Sequence, residues 1–137
     1  MLLTNDLCRH AVTLRSMTLR STGLQWRNFI TLQDVSRVVA HMIKLPDSQI
    51  GDGLFNVGSG KSSRVIDMVG LIQMRCTEVL GYTPEIKRKE PIANEETLPL
   101  DFRIDRLLAT GFKLLENNVA EIDATLSLCH DDFFSSR

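Results

Sequence analysis

An arginine leaves a turn, enters a β-rich run and is followed by a helix-capping acid in Gln25-Trp26-Arg27-Asn28-Phe29-Ile30-Thr31-Leu32-Gln33-Asp34-Val35. A guanidinium presented at a strand edge suits a diphosphate, because its planar fork donates two N–H bonds to neighbouring oxygens. On the residues alone an alternative stays open, in which Arg27 simply pairs with Asp34. Gly58-Ser59-Gly60-Lys61-Ser62 ends like a phosphate-binding loop, but that motif needs a glycine five residues before its Gly-Lys pair, and Phe55 stands there. A dinucleotide fingerprint fails as well. Gly58 and Gly60 supply its first two glycines, and Ser63 stands in place of the third. The run therefore reads as a tight strand-to-helix turn.

The remaining polar residues suggest less. His10, His41 and His130 fall on expected helices, and Cys8 with His10 is the one pair close in sequence; residues two apart on a helix point to different sides. Cys8, Cys76 and Cys129 are too few and too scattered for a disulfide framework or a zinc site. Lys87-Arg88-Lys89 fits a charged edge strand better than a phosphate-binding patch. No spacing proposes a Ser-His-Asp or Cys-His arrangement. No catalytic, cofactor-binding or metal-ligating residue is expected.

The elements that would position Arg27 follow from periodicity and turn chemistry. Residues 4–12 read as a short helix, 17–20 as a strand, and Ser21-Thr22-Gly23 as a turn. Residues 28–32 alternate as a second strand. Val35, Val38, Val39 and Met42 make a helical stripe stopped at Pro46-Asp47, before a loop at Gly51-Asp52-Gly53. Residues 54–57 read as a third strand and 63–80 as the longest helix, with Val65, Val69, Ile72, Cys76 and Val79 on one side and Gly81 as its stop. A charged strand at 85–89, a loop at 91–99, a short helix at 104–109 and a last helix at 118–130 complete the chain. The class is α/β with α+β character, and the strands are too few, short and far apart to make a good sheet by themselves.

Composition bounds the partners. The 137 residues suffice for one domain, and 16 Lys and Arg against 17 Asp and Glu argue against a nucleic-acid binder. No apolar run approaches the roughly 18 residues of a membrane span, and the start MLLTNDLCRH turns polar at once. The expectation is a soluble, cytoplasmic chain with neither nucleic acid nor membrane as partner.

Gln25-x-Arg27-Asn28-Phe29-Ile30 with Asp34-Val35 resembles the Gln-x-Arg-Asp-(Phe/Tyr)-Ile…Asp-Val segment of extended short-chain dehydrogenases/reductases, the NAD-dependent nucleotide-sugar epimerases and dehydratases. Phe55-Asn56-Val57-Gly58-Ser59-Gly60 resembles that family's Phe-Asn-(Ile/Val)-Gly-(Ser/Thr)-Gly strand and turn, and residues 107–112 its late Leu-Gly-Trp segment. Order and spacing agree over nearly all of the chain, and only with the C-terminal, substrate-binding part of such enzymes. The resemblance implies that Arg27 binds the diphosphate of a nucleotide-sugar, that Thr18, Leu19 and Arg20 line the base, and that Leu2 abuts the same pocket. It implies NAD or NADP in the complete enzyme and none on this chain alone, since the family's Tyr-x-x-x-Lys pair has no counterpart: the one tyrosine is Tyr82 and the residue four later is Ile86. Two departures stand out. Asn28 replaces the usual Asp, and a second diphosphate-binding arginine is missing near Ile92, leaving Arg88 and Arg103 as candidates. Residues 1–137 are then expected to be a single incomplete unit, inactive alone, whose residues 34–60 pack on a Rossmann sheet outside it and which can form homo-oligomers. The alternative is a non-catalytic module of the same fold, serving nucleotide-sugar binding or subunit association.

Overall fold

A computed structural model describes residues 2–93, 95 and 97–135. In chain order the elements are α1 (Leu3–Leu14), β1 (Ser16–Thr18), β2 (Trp26–Asn28), α2 (Leu32–Ile43), α3 (Asp47–Ile50), β3 (Ser62–Arg64), α4 (Val65–Leu80), β4 (Glu85–Lys87), α5 (Asp105–Ala109) and α6 (Asn118–Ser135). β1 and β4 pair in parallel with Met17 beside Ile86; β2 and β3 pair antiparallel with Arg27 opposite Ser63. The class is mixed α/β, as expected.

The main core is a three-helix packing of α1, α4 and α6 that also takes in Met17 and Leu19. The α4 stripe works as its spacing predicts: Val65, Val69, Ile72 and Cys76 are buried, while Val79 at the last turn is exposed. A bidentate pair ties α4 to α6, with Arg75 Nε and Nη2 donating to the two carboxylate oxygens of Asp123 at 2.7 and 2.8 Å. Gly81 adopts φ +75° and ends α4, a conformation that glycine takes without steric cost. A second, smaller cluster of Val38, Leu107 and Phe112 joins α2 to α5 and the segment after it. No helix among the described residues is long and apolar enough to cross a membrane.

The three cysteines, distant in sequence, meet in the main core on α1, α4 and α6. Burial, and then the neighbouring Cys129 and Cys76, push the Cys8 thiol up to about 12. Since the thiolate is the nucleophile, Cys8 and Cys76 are expected to resist iodoacetamide at pH 8 in the native protein and to react in denaturant. Cys129, only partly covered, should label first. Peptide mass spectrometry reads this directly, and fast native labelling of Cys8 would mean that the α1–α6 packing opens.

Several boundaries differ from the periodicity reading. The strand expected at 28–32 lies at Trp26–Asn28, because Thr31 accepts the Asp34 N–H at 3.1 Å and so starts α2. Ser62–Arg64, a polar run with no alternating apolar signal, forms β3 and delays α4 to Val65; Asp67 then accepts the Arg64 N–H, closing the helix start. Residues 54–57, expected as a strand, join no ladder among the described residues, and Leu54 is 69% exposed. On the α2 stripe only Val38 is buried and Val39 is 55% exposed; Ile43, at the end of the helix and off that stripe, is 79% exposed. α6 runs five residues beyond the expected His130, and its Val119 is exposed. Residues 94 and 96 of the expected 91–99 loop lie outside the described residues; elsewhere that loop has no helix or strand.

Candidate functional site

Arg27 occupies the middle of β2, held by the ladder on both sides through Trp26 opposite Arg64 and Asn28 opposite Ser62. Its side chain is exposed and, among the described residues, donates to the carbonyl of its own neighbour Trp26, at 3.2 Å. Asp34, the alternative partner, is engaged elsewhere. It is 1% exposed and accepts from Arg37 Nη1 at 2.7 Å, from the Leu115 N–H at 3.0 Å and from the Glu116 N–H at 2.9 Å. Burial is the largest single influence and pushes this carboxyl up; the two backbone donors and Arg37 together outweigh it and hold it below its ordinary value of 3.8. Asp34 is thus a structural pin, and Arg27 keeps a guanidinium with no acidic partner among the described residues.

The turn from β1 to β2 is fastened on several sides. Ile66 N–H donates to Gly23 O at 2.8 Å and Val65 N–H to Gln25 O at 3.1 Å, which seats the turn on the start of α4. Arg88 Nη1 donates to Thr22 O at 2.8 Å, so one candidate second arginine is spent holding the turn. The other, Arg103, pairs with Asp101 at 3.0 Å. Thr18 and Arg20 are exposed beside this turn, with Thr18 opposite Lys87 across the sheet. Leu19 differs. Its side chain is 6% exposed and belongs to the core, and its N–H donates to Lys87 O. Leu2 precedes α1 and is 72% exposed.

The Gly58–Ser62 turn does not fit a phosphate or a dinucleotide. Anion-binding turns work through free N–H groups. Here Ser59 N–H donates to Asn28 Oδ1 at 2.7 Å and Gly60 N–H to Glu116 Oε1 at 2.8 Å. Space excludes a side chain at Gly58, where a Cβ would stand 2.5 Å from Phe102 Cε1 and 2.6 Å from Asn28 Oδ1. Gly58→Ala is expected to cost about 1–3 kcal/mol of stability. Gly60→Ala should cost less, since its Cβ would meet the mobile end of Glu116 at 3.2 Å. Thermal melts of both variants give the order, and equal losses would contradict it. Tyr82 is a packing residue: its Oη donates to Ala11 O at 3.1 Å, Arg15 lies over the ring, and burial raises its pKa to about 12.

Sequence reasoning missed the side chains that brace the site. Asn28 drew notice only as a departure from a motif, and nothing marked Glu116, which takes φ +51° so that its N–H reaches Asp34 while its carboxylate reaches Gly60. Glu121 of α6 accepts the Leu32 N–H at 2.8 Å at the start of α2, a contact across 89 positions that no local pattern encodes.

No protein-family model matches the chain, and no curated protein matches it. Solved structures do. A NAD-dependent NDP-hexosamine 5,6-dehydratase of tunicamycin biosynthesis is 26% identical over 99% of this chain, with a TM-score of 0.61. UDP-glucuronic acid 4-epimerase from Bacillus cereus, solved with NAD, gives a TM-score of 0.71 over 96% of the chain at 15% identity. RMD from Pseudomonas aeruginosa, solved with NADPH, gives 0.70 over 96% at 17% identity. The chain covers 41%, 40% and 43% of these structures respectively, so it spans less than half the length of each.

Proposed function

We propose that this chain, which has the fold of the C-terminal portion of NAD-dependent nucleotide-sugar epimerases and dehydratases of the extended short-chain dehydrogenase/reductase type, holds the diphosphate of a nucleotide-sugar substrate through Arg27. The observation that carries this reading is the exposed guanidinium of Arg27 in the middle of the β2–β3 ladder, which among the described residues is hydrogen-bonded to the Trp26 carbonyl and to no acidic group. Thr18 and Arg20, exposed beside the fastened 21–25 turn, line the base together with Leu19, and Leu2, also exposed, abuts the same site. Binding energy collected at the diphosphate, remote from the reacting sugar, goes into orienting that sugar.

The nicotinamide cofactor, NAD or NADP, belongs to a Rossmann region outside this chain. Within the chain the Gly58–Ser62 turn has its Ser59 and Gly60 N–H groups occupied, and Tyr82 has Ile86 four residues on rather than a lysine. The isolated chain is accordingly inactive. Residues 34–60 form the face that meets the Rossmann sheet: Val39, Ile43 and Leu54 are exposed, and residues 54–57 are without a ladder partner among the described residues. Leaving such apolar surface and main chain uncovered is unfavourable.

The test is calorimetric titration with UDP, dTDP, GDP and CDP of the wild-type protein and of Arg27→Ala. One of the four should bind the wild type and bind the variant far more weakly. A wild type that binds none, or an Arg27→Ala variant that binds as well as wild type, sinks the reading.

A further inference from the structure

The diphosphate of a nucleotide-sugar carries a negative charge on each phosphate, and one guanidinium balances only one of them. Arg88 and Arg103 are paired with Thr22 O and with Asp101. Arg64, opposite Trp26 on β3, donates to both carboxylate oxygens of Asp67 at 3.0 and 2.9 Å. Among the described residues, the cation that remains at the β2–β3 ladder beside Arg27 is Lys61. Its backbone is held close to β2, because Lys61 O accepts from Ser59 Oγ at 2.5 Å and from Asn28 Nδ2 at 3.4 Å. Ser63 stands opposite Arg27 in the ladder, and Lys61 enters β3 two residues earlier. Residues two apart in extended chain share a side, which makes Lys61 the diagonal neighbour of Arg27, at a separation of about 7–8 Å that a long side chain spans. The Lys61 side chain is exposed and has no hydrogen-bond or ion-pair partner among the described residues. Glu116 reaches the same turn, but its carboxylate is engaged with the Gly60 N–H at 2.8 Å.

We propose that Lys61 is a second diphosphate-binding residue: its ammonium, presented where the chain enters β3, balances the phosphate charge that the Arg27 guanidinium leaves. This rests on the reading of Arg27 as the diphosphate anchor and extends it to a site of two cations. They differ in kind. The planar fork of Arg27 on its paired strand sets the orientation of the ligand, whereas the ammonium is a point charge on a flexible stem and follows the phosphates. A phosphate-binding loop uses its backbone N–H groups together with its lysine. In the Gly58–Ser62 turn the Ser59 and Gly60 N–H groups are taken, and the lysine side chain is what it has to offer an anion.

Wild type, Lys61→Gln, Lys61→Arg, Arg27→Ala and Lys44→Gln should be compared by calorimetric titration with UDP, dTDP, GDP and CDP, with melting temperatures as the check on folding. Lys44 is exposed at the far end of α2, so Lys44→Gln removes the same charge away from the ladder. Lys61→Gln is expected to melt as wild type does, because the printed bonds of this residue are made by its carbonyl. It should bind the preferred diphosphate about 5- to 10-fold more weakly, and its binding should depend less on salt. Lys61→Arg keeps the charge and should stay within about twofold of wild type. Lys44→Gln should bind as wild type. Wild-type affinity in Lys61→Gln overturns the proposal while a weakened Arg27→Ala leaves the anchor standing. Equal weakening by Lys44→Gln and Lys61→Gln overturns it as well, since net charge then explains both. So does a loss in Lys61→Gln that comes with a lowered melting temperature and is not restored by Lys61→Arg, which would make Lys61 part of the fold. If the wild type binds none of the four diphosphates, or Arg27→Ala binds normally, the anchor reading itself falls and takes the role of Lys61 with it.

Discussion

Asp34→Ala is expected to remove about 3–5 kcal/mol of stability, a large share of what holds a domain of this size together. The carboxylate is buried and takes both the Leu115 and Glu116 N–H groups as well as Arg37. Its removal leaves two N–H groups without their acceptor at a position that is 1% exposed in the fold, and each unsatisfied group costs about 1–3 kcal/mol. Arg37, 37% exposed and stacked 5.1 Å over Phe112, can turn to solvent, so its share is the smaller one. Asp34→Asn should fall between wild type and alanine, because one oxygen remains to accept. The sign with pH follows from the same contacts. The folded pKa is lowered, so the stabilisation is fully present above the ordinary carboxylate value of 3.8 and is lost as pH falls through the folded value. Urea unfolding followed by circular dichroism at pH 7 and at pH 3 measures both. A loss under 1 kcal/mol at pH 7 in Asp34→Ala would mean that other groups carry the joint between α2 and residues 114–116.

The second large effect belongs to Arg27. Charge-assisted hydrogen bonds are worth about 1.5–3 kcal/mol each, and every 1.4 kcal/mol is a factor of ten in affinity. Arg27→Ala should therefore weaken diphosphate binding about 10- to 100-fold and leave the fold intact, since the side chain is exposed and its hydrogen bond goes to the carbonyl of the adjacent Trp26. Arg27→Lys separates charge from geometry. Lysine keeps the positive point and loses the planar fork, so its affinity should lie between those of arginine and alanine. A lysine variant equal to wild type would show that charge alone suffices. Weakening of wild-type binding with salt should be larger than that of Arg27→Ala, because the variant has one cation fewer to screen.

The elements legible in the sequence were those whose signal is local. The α4 stripe from Val65 to Cys76 and the Gly81 stop are legible because periodicity and a left-handed cap residue are properties of short windows. β3 was not legible: Ser62-Ser63-Arg64 has no apolar alternation, and only β2 across the ladder makes it a strand. Residues 54–57 erred the other way. Leu54-Phe55-Asn56-Val57 has the composition of a strand, yet composition supplies no partner, and the described chain offers none. At the site, Arg27 is exposed on β2, whereas the Asp34 network depends on backbone donors 81 and 82 positions away, which no local pattern encodes. Adjacency groups Leu19 with Thr18 and Arg20, yet its side chain lies in the core while theirs are exposed.

Glu121 on the start of α2 and the backbone of residues 115 and 116 on Asp34 also bear on how the molecule comes into being. Synthesis delivers the chain from its N-terminus at roughly 5–20 residues per second. β2, β3 and the turn that joins them to α4 can form once residue 80 has left the ribosome. The first turn of α2 then waits for some forty residues more, with Leu32 and Gln33 N–H groups uncapped and Asp34 without its backbone donors. During that interval the strand bearing Arg27 exists beside a helix whose first turn is unfinished. The last helix to be made is the one that completes it.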